Sequence, residues 1–254
     1  MLVTKFMVLF VVLILTFTQT TPAQSFGFGC LGFVGGYGGY SYQVYKPTGL
    51  NNYIQYFNDD RQDSLSTPMS KFGKAQGYRV GINFFRADIR GFILTAKGFY
   101  QLLTEKHNAS VYSSLGNIST TYKLNVKNWG VGIDLGTSLT GGISWKVIDA
   151  ALLFNSAKLT NTTNSPGPTT TVLEYKNTSS KMGYSIGTGF IVSVIDQYIT
   201  LEGLAGYTDF SISELQQSDG TKLTVNENSK EPMKNFIETG GFNAVIQLNL
   251  GFPL

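Results

Sequence analysis

Few side chains in this sequence are of the kind that do chemistry. The single histidine, His107, has a hydroxyl three residues on, Ser110, in the string His-Asn-Ala-Ser. A serine nucleophile needs a base within hydrogen-bond reach and a third group that orients the base. The string supplies no such orienter, so His107 is expected to be a residue at the entry of a loop. The second group is ionic: Arg79, Lys97, Asp134 and Glu202 are far apart in the chain, and each stands in a segment of alternating residue types. If they share one interior they must pair, because a buried charge without a partner is costly. The expected outcome is a salt-bridged plug; the other reading is a gated path for ions or small solutes. No P-loop, dinucleotide-binding glycine pattern or metal-ligand cluster occurs, so no cofactor and no metal is expected. Cys30 is the one cysteine and has no partner for an internal disulfide.

The elements that carry these charges read as strands. From Trp129 to Trp145 the odd positions include Trp129, Val131, Ile133, Leu135, Leu139, Ile143 and Trp145, and the even positions are Gly, Asp, Ser or Thr. A soluble sandwich would bury the apolar set, leaving glycines and serines outside. Read the other way, the apolar set faces lipid and the small or polar set lines a narrow lumen. The two tryptophans then mark the membrane surfaces as an aromatic girdle. The same alternation recurs at Tyr78–Phe84, Phe92–Leu102, Gly183–Val192, Tyr198–Tyr207 and Phe242–Phe252. Arg79, Lys97, Asp134 and Glu202 all fall on the lumen set. A lipid-facing Arg or Lys near the midplane would cost roughly 2–4 kcal/mol, which argues for the same placement. Two further strands, Leu31–Tyr45 and Ala150–Lys158, have faces that the pattern leaves unassigned.

Link lengths give an independent count. Short links fall near Arg86–Arg90, Trp145–Asp149 and Val194–Gln197. Long polar links fall at Lys46–Lys74, His107–Thr120, Thr160–Lys181 and Ser211–Asn235. Short turns on one side and long loops on the other predict an eight-stranded antiparallel up-and-down transmembrane β-barrel, all-β, with both ends of the barrel domain on the periplasmic side. A ten-stranded barrel, with an extra hairpin around Thr170–Tyr175, is the structural alternative. Within the first long link Leu50, Tyr53, Ile54 and Phe57 repeat at helical spacing. They predict a short amphipathic helix, capped by Thr48, on the barrel rim or outer leaflet.

Composition agrees with this layout. Charged residues are 14% of the chain, against about 25% in ordinary globular domains. The net charge of +3 gives no reason to expect a nucleic-acid partner. Lys5, the apolar run Phe6–Leu15 and Ala23 read as a secretory signal over residues 1–23. Residues 24–254 are then the barrel domain.

The signal, the alternating strands and the last strand, Phe-Asn-Ala-Val-Ile-Gln-Leu-Asn-Leu-Gly-Phe252, resemble the OmpA/OmpX/opacity-type outer membrane barrels, often called porin-family β-barrel proteins. The resemblance covers the whole chain after the signal. It implies residence in the outer membrane of a Gram-negative bacterium, with outer membrane lipids as partners. It also implies recognition of Phe252 by the barrel-assembly machinery, although Pro253 and Leu254 follow that residue. The long loops would meet any extracellular ligand or surface. Lipid A deacylases and palmitoyltransferases share the architecture and use a His and a Ser. The adjacent His-Ser pair of the deacylases is missing here, so a structural or surface-interaction role is expected in place of an enzyme.

Overall fold

The computed structural model describes residues 35–251 apart from 115, 168, 196 and 197. The expected signal over 1–23, Cys30 and Phe252 lie outside the described residues. Among the described residues ten strands and one helix are formed: β1 (Gly35–Val44), α1 (Thr48–Asp60), β2 (Leu65–Thr67), β3 (Lys74–Ile89), β4 (Phe92–Ser113), β5 (Gly116–Thr140), β6 (Ile143–Asn164), β7 (Thr170–Lys176), β8 (Lys181–Ile195), β9 (Ile199–Asp209) and β10 (Gly241–Gly251). Eight of them close a ring in the order β1-β3-β4-β5-β6-β8-β9-β10, with β10 antiparallel to β1. Every pairing is antiparallel. Closure pairs both edges of each wall strand within the membrane, where no water could satisfy them. The remaining two strands stay outside the ring. β2 pairs with β4 and β7 with β6, and Lys176 at the end of β7 also bridges Gln216. The strand at Thr170–Tyr175 is therefore real but widens the sheet above the barrel without adding to the barrel's strand count.

The hairpin ends are built as the local sequence dictates. Arg90 and Gly91 both have positive φ, 54° and 85°, the geometry of a two-residue turn whose twist matches the strands it joins. The Gly91 N–H donates to Asp88 Oδ1 at 3.0 Å. The next turn is Gly141-Gly142, which corrects the reading of Trp129–Trp145 as one strand. The alternation runs through the turn because the register slips beside it: Thr140 pairs with Ile143 but Ser138 with Ser144, and the extra residue Leu139 keeps the odd positions on the outward face. Trp129 lies on β5 and Trp145 on β6. The segment Trp145–Asp149 is the body of a strand and no link.

The side of the long links departs further from expectation. His107–Thr120 is a continuous antiparallel hairpin, paired from Phe92↔Thr137 to Ser113↔Gly116. Thr48 lies inside α1 with Pro47 at the cap position, and no side chain caps the helix. The Thr48 hydroxyl donates instead to Glu238 Oε2 at 2.5 Å. Leu50, Tyr53, Ile54 and Phe57 do form the buried face of α1, yet they face a protein core and no leaflet. That core joins α1 and the 210–240 segment to the inner faces of the strand extensions, through Leu103, Tyr122, Leu124, Val126, Ala157 and Leu159. Gly49 is where the two covering segments meet. Its N–H donates to the Asn235 carbonyl at 2.9 Å, and a Cβ there would sit 2.7 Å from the Lys234 oxygen.

Candidate functional site

The wall strands change character partway along their length, and the change defines the site. On β5 the outward residues are Thr121, Lys123, Asn125 and Lys127, then Trp129, Val131, Ile133 and Leu135. The inward residues opposite are Thr120, Tyr122, Leu124 and Val126, then Asn128, Gly130, Gly132 and Asp134. Polar-out and apolar-in gives way to apolar-out and polar-in at Lys127–Trp129. β4 makes the same switch between Leu102 and Thr104, and β6 between Phe154 and Ser156. An apolar exterior is stable only against lipid and a polar exterior only against water, so the switch traces one membrane surface.

Below that level the lumen is packed with paired charges. Lys97, Asp134 and Glu202 are buried inside it, joined by Lys146 and Asp149. Lys97 bridges Asp134 at 3.6 Å and also pairs with Asp149. Lys146 bridges Asp134 at 3.1 Å, Asp149 at 3.6 Å and Glu202. Glu202 further accepts from Gln247 Nε2 at 3.2 Å and Asn249 Nδ2 at 2.9 Å. Arg79 is buried nearby and, among the described residues, has no carboxylate in salt-bridge reach. Its Nε donates to Gln101 Oε1 at 2.8 Å, and its guanidinium lies 4.3 Å from the centre of the Phe99 ring. With Arg79 included, three cations face three carboxylates among the described residues, so their charges balance.

Lys146 and Asp149 escaped the sequence reading for a definite reason. Regular alternation sends residues three apart to opposite faces. Between Lys146 and Asp149 the register slips against both β5 and β8, leaving Val147 as an extra residue. This bulge turns both side chains inward. The inward glycines have their own use. A Cβ at Gly130 would sit 2.3 Å from the Phe99 ring, and one at Gly81 would sit 2.3 Å from Tyr37. The glycines thus house two aromatic rings, which pack with Ala151 and Leu153 into a small apolar cluster beside the charges.

At the capped mouth a second polar centre ties the cap to the wall. Glu105 points inward from β4 and accepts from the Tyr45 hydroxyl at 2.6 Å, the Lys74 N–H at 2.8 Å and the Gly73 N–H at 3.1 Å. His107 Nε2 lies 2.8 Å from the other side of the same carboxylate, and the His107 ring stands edge-on to Phe72 at 4.6 Å. His107 is thus a strand residue facing the cap. Ser110, three residues on, points to the opposite face of β4, which keeps the two apart as a catalytic pair. Deeper in the cap, Tyr53 and Tyr122 share a hydrogen bond of 3.2 Å, and Asn161 Nδ2 donates to Tyr122 at 3.0 Å. Burial pushes the Tyr53 phenol up to about 12 and holds those of Tyr122 and Tyr45 above their ordinary range. A partly open cleft of about 200 Å³ lies over α1, lined by Tyr53, Tyr56, Asp60, Arg61, Asn226 and Glu227 among others.

The two tryptophans sit outward at different heights. Trp129 pairs with Tyr100 and Phe154 at the polarity switch, and Trp145 pairs with Thr137 and Phe190 near the short turns. Eight residues of β5 separate the two levels, roughly 20 Å at about 3.3 Å per residue and a tilt of about 40°. Each of the eight wall strands carries an outward aromatic on the side of the cap: Tyr40, Tyr78, Tyr100, Trp129, Phe154, Tyr184, Tyr207 and Phe242.

This architecture defines the class: a closed eight-stranded antiparallel up-and-down barrel with an apolar outward band. No protein-family model matches the sequence, and no curated protein matches it. Solved structures similar in shape include Ail, the attachment invasion locus protein of Yersinia pestis (10% identity, TM-score 0.41, covering 87% of this chain and 99% of that one). Another is the outer membrane protease OmpT of Escherichia coli (10% identity, TM-score 0.44, covering 92% and 100%). A third is neisserial surface protein A (14% identity, TM-score 0.36, covering 86% and 97%). At these scores the likeness decides nothing about chemistry, and the class rests on the geometry of the chain itself.

Proposed function

We propose that the chain is a non-enzymatic outer membrane barrel with a structural or surface-interaction role, its lumen closed by the Lys97–Asp134–Lys146–Asp149–Glu202 network. The observation that carries this reading is the polarity switch on β4, β5 and β6. It supports a membrane-embedded lower half and a water-exposed upper half that projects the cap outward. In this reading both ends of the barrel domain are periplasmic, Trp129 and Trp145 belong to the two aromatic girdles, and Phe252 is the signal for the assembly machinery. An eight-stranded interior is just wide enough for its side chains to fill, and here the filling is ionic and balanced. The channel alternative draws on one observation. Amide atoms of Gln43, Asn128, Asn155 and Gln247 are buried without a protein partner, and such groups are satisfied by water. Single-channel recording on the reconstituted full chain tests the choice. Silence is expected, and steady conductance would overturn the plug. A shift in gel migration on boiling checks the barrel itself.

A further inference from the structure

Above the polarity switch, the outward faces of β3, β4 and β5 carry a row of lysines and no carboxylate. Lys106 on β4 stands directly opposite Lys123 on β5. Lys74 lies on β3 two residues beyond Gln76, as Lys106 lies two beyond Gln76's partner Thr104, which extends the row to a third strand. Lys127 is on the same face of β5, one step above Trp129, and the neighbouring Lys158 pairs with Asn125 between them. Lys158 is already neutralised by Glu174 of β7. Lys74, Lys106, Lys123 and Lys127 are all exposed, and among the described residues none has a carboxylate within salt-bridge reach. Like charges directly opposite one another on a sheet are destabilising. The chain nonetheless places such a pair on a face continuous with its lipid-facing surface.

We infer that this face binds the phosphate groups of the glycolipid molecules that surround the barrel in the outer leaflet. The inference rests on the membrane reading proposed above. Lys127 stands at the level of the aromatic girdle, where headgroups begin. Lys123 and Lys106 stand roughly 10 Å higher, at about 3.3 Å per residue and a tilt of about 40°. A ladder of that height matches a headgroup that carries anions at several depths, and lysine serves phosphate as a mobile point charge. Thr104, whose hydroxyl donates to Asn125 Oδ1 at 2.8 Å, places neutral polar groups between the charges. The binding face covers one side of the barrel only; on the opposite wall the outward residue at the top of β9 is Asp209.

The test uses the full chain, folded in detergent, titrated with lipopolysaccharide, with the same glycolipid after enzymatic removal of its phosphates, and with a soluble sulfated polysaccharide. Binding is read by native mass spectrometry. The phosphorylated lipid is expected to bind at least tenfold more tightly than the dephosphorylated one, more weakly as salt rises. The triple variant K106Q/K123Q/K127Q is expected to lose that preference while keeping heat-modifiable migration. A charge-matched control on the outer segments, K71Q/K222Q/K230Q, is expected to retain it. Equal binding of the triple variant and the parent, or equal binding of both lipids, would overturn the inference. Stronger binding of the soluble polysaccharide would overturn the lipid as ligand. A parent protein without heat-modifiable migration would overturn the barrel reading, and this inference with it.

Discussion

At the residue scale the lumen network sets the stakes. Lys146 alone touches Asp134, Asp149 and Glu202. Removing one partner of a buried ionic cluster leaves uncompensated charge and costs about 3–5 kcal/mol, whereas replacing the whole set by packed apolar groups can be neutral. Lys146→Met is therefore expected to lower the unfolding free energy of the barrel by an amount in that range, read as a fall in its denaturant midpoint and followed by the loss of compact gel migration. A midpoint within experimental error of the parent would mean that the network carries no stability. The buried phenols of the cap give a second prediction. A tyrosine whose folded pKa lies above its unfolded value favours folding fully below about 10, its ordinary pKa, and loses that contribution as pH rises toward the folded value. For Tyr53 the window runs from the ordinary value up to about 12. Phenolate absorbance should show Tyr53 and Tyr122 titrating only as the cap opens. A Tyr53→Phe variant should remove part of that late phase. How much was legible also divides by residue. Arg79, Lys97, Asp134 and Glu202 could be placed on one set of positions because their strands alternate without interruption there. Lys146 and Asp149 could not, because a bulge at Val147 breaks the period on which the reading depends.

Elements show a different division. The lipid-facing halves of the strands were readable because one face is continuously apolar over whole segments. Their outer halves were not. Above Trp129 the alternation persists but its sense reverses, so a rule tuned to apolar-out residues reads His107–Thr120 as loop. The helix was visible in Leu50, Tyr53, Ile54 and Phe57, since its period is local. Its partner was hidden, because the 210–240 segment that covers it has no period at all and is held by isolated bridges such as Ile212↔Ile237. Leu50 and Ile54 are both fully buried in this cap. Truncation to alanine at such a site costs about 2–5 kcal/mol. Leu50→Ala is expected to loosen the cap selectively. Protease cleavage within 210–240 should accelerate severalfold while the membrane band stays resistant. Uniform loss of resistance would show that cap and wall unfold together.

For the molecule as a whole, the fold follows from two solvents acting on one wall. The lower band meets lipid and keeps its charges inside; the upper part meets water and keeps its apolar residues inside. Because the switch occurs at matching levels on β4, β5 and β6, the barrel has a fixed depth in the bilayer. Lipids carrying quenchers at defined depths should quench Trp129 from one leaflet's interface and Trp145 from the other. Single-tryptophan variants, with Trp129 or Trp145 replaced by Phe, would separate the two signals. Quenching of both at the midplane would refute the assignment.

The route by which the segments of the cap arrive has a kinetic consequence. α1 follows β1 directly, and residues 210–240 directly precede β10. β1 and β10 are the two strands whose pairing closes the ring. The two halves of the cap thus hang from the two sides of the seam, and Gly49 meets Asn235 only when the seam has zipped. Until then Leu103, Tyr122 and Leu124 have no cover above the membrane. The last event of assembly therefore seals the wall and the lid together, and a chain stalled with an open seam would betray itself by the sticky upper interior it leaves unclad.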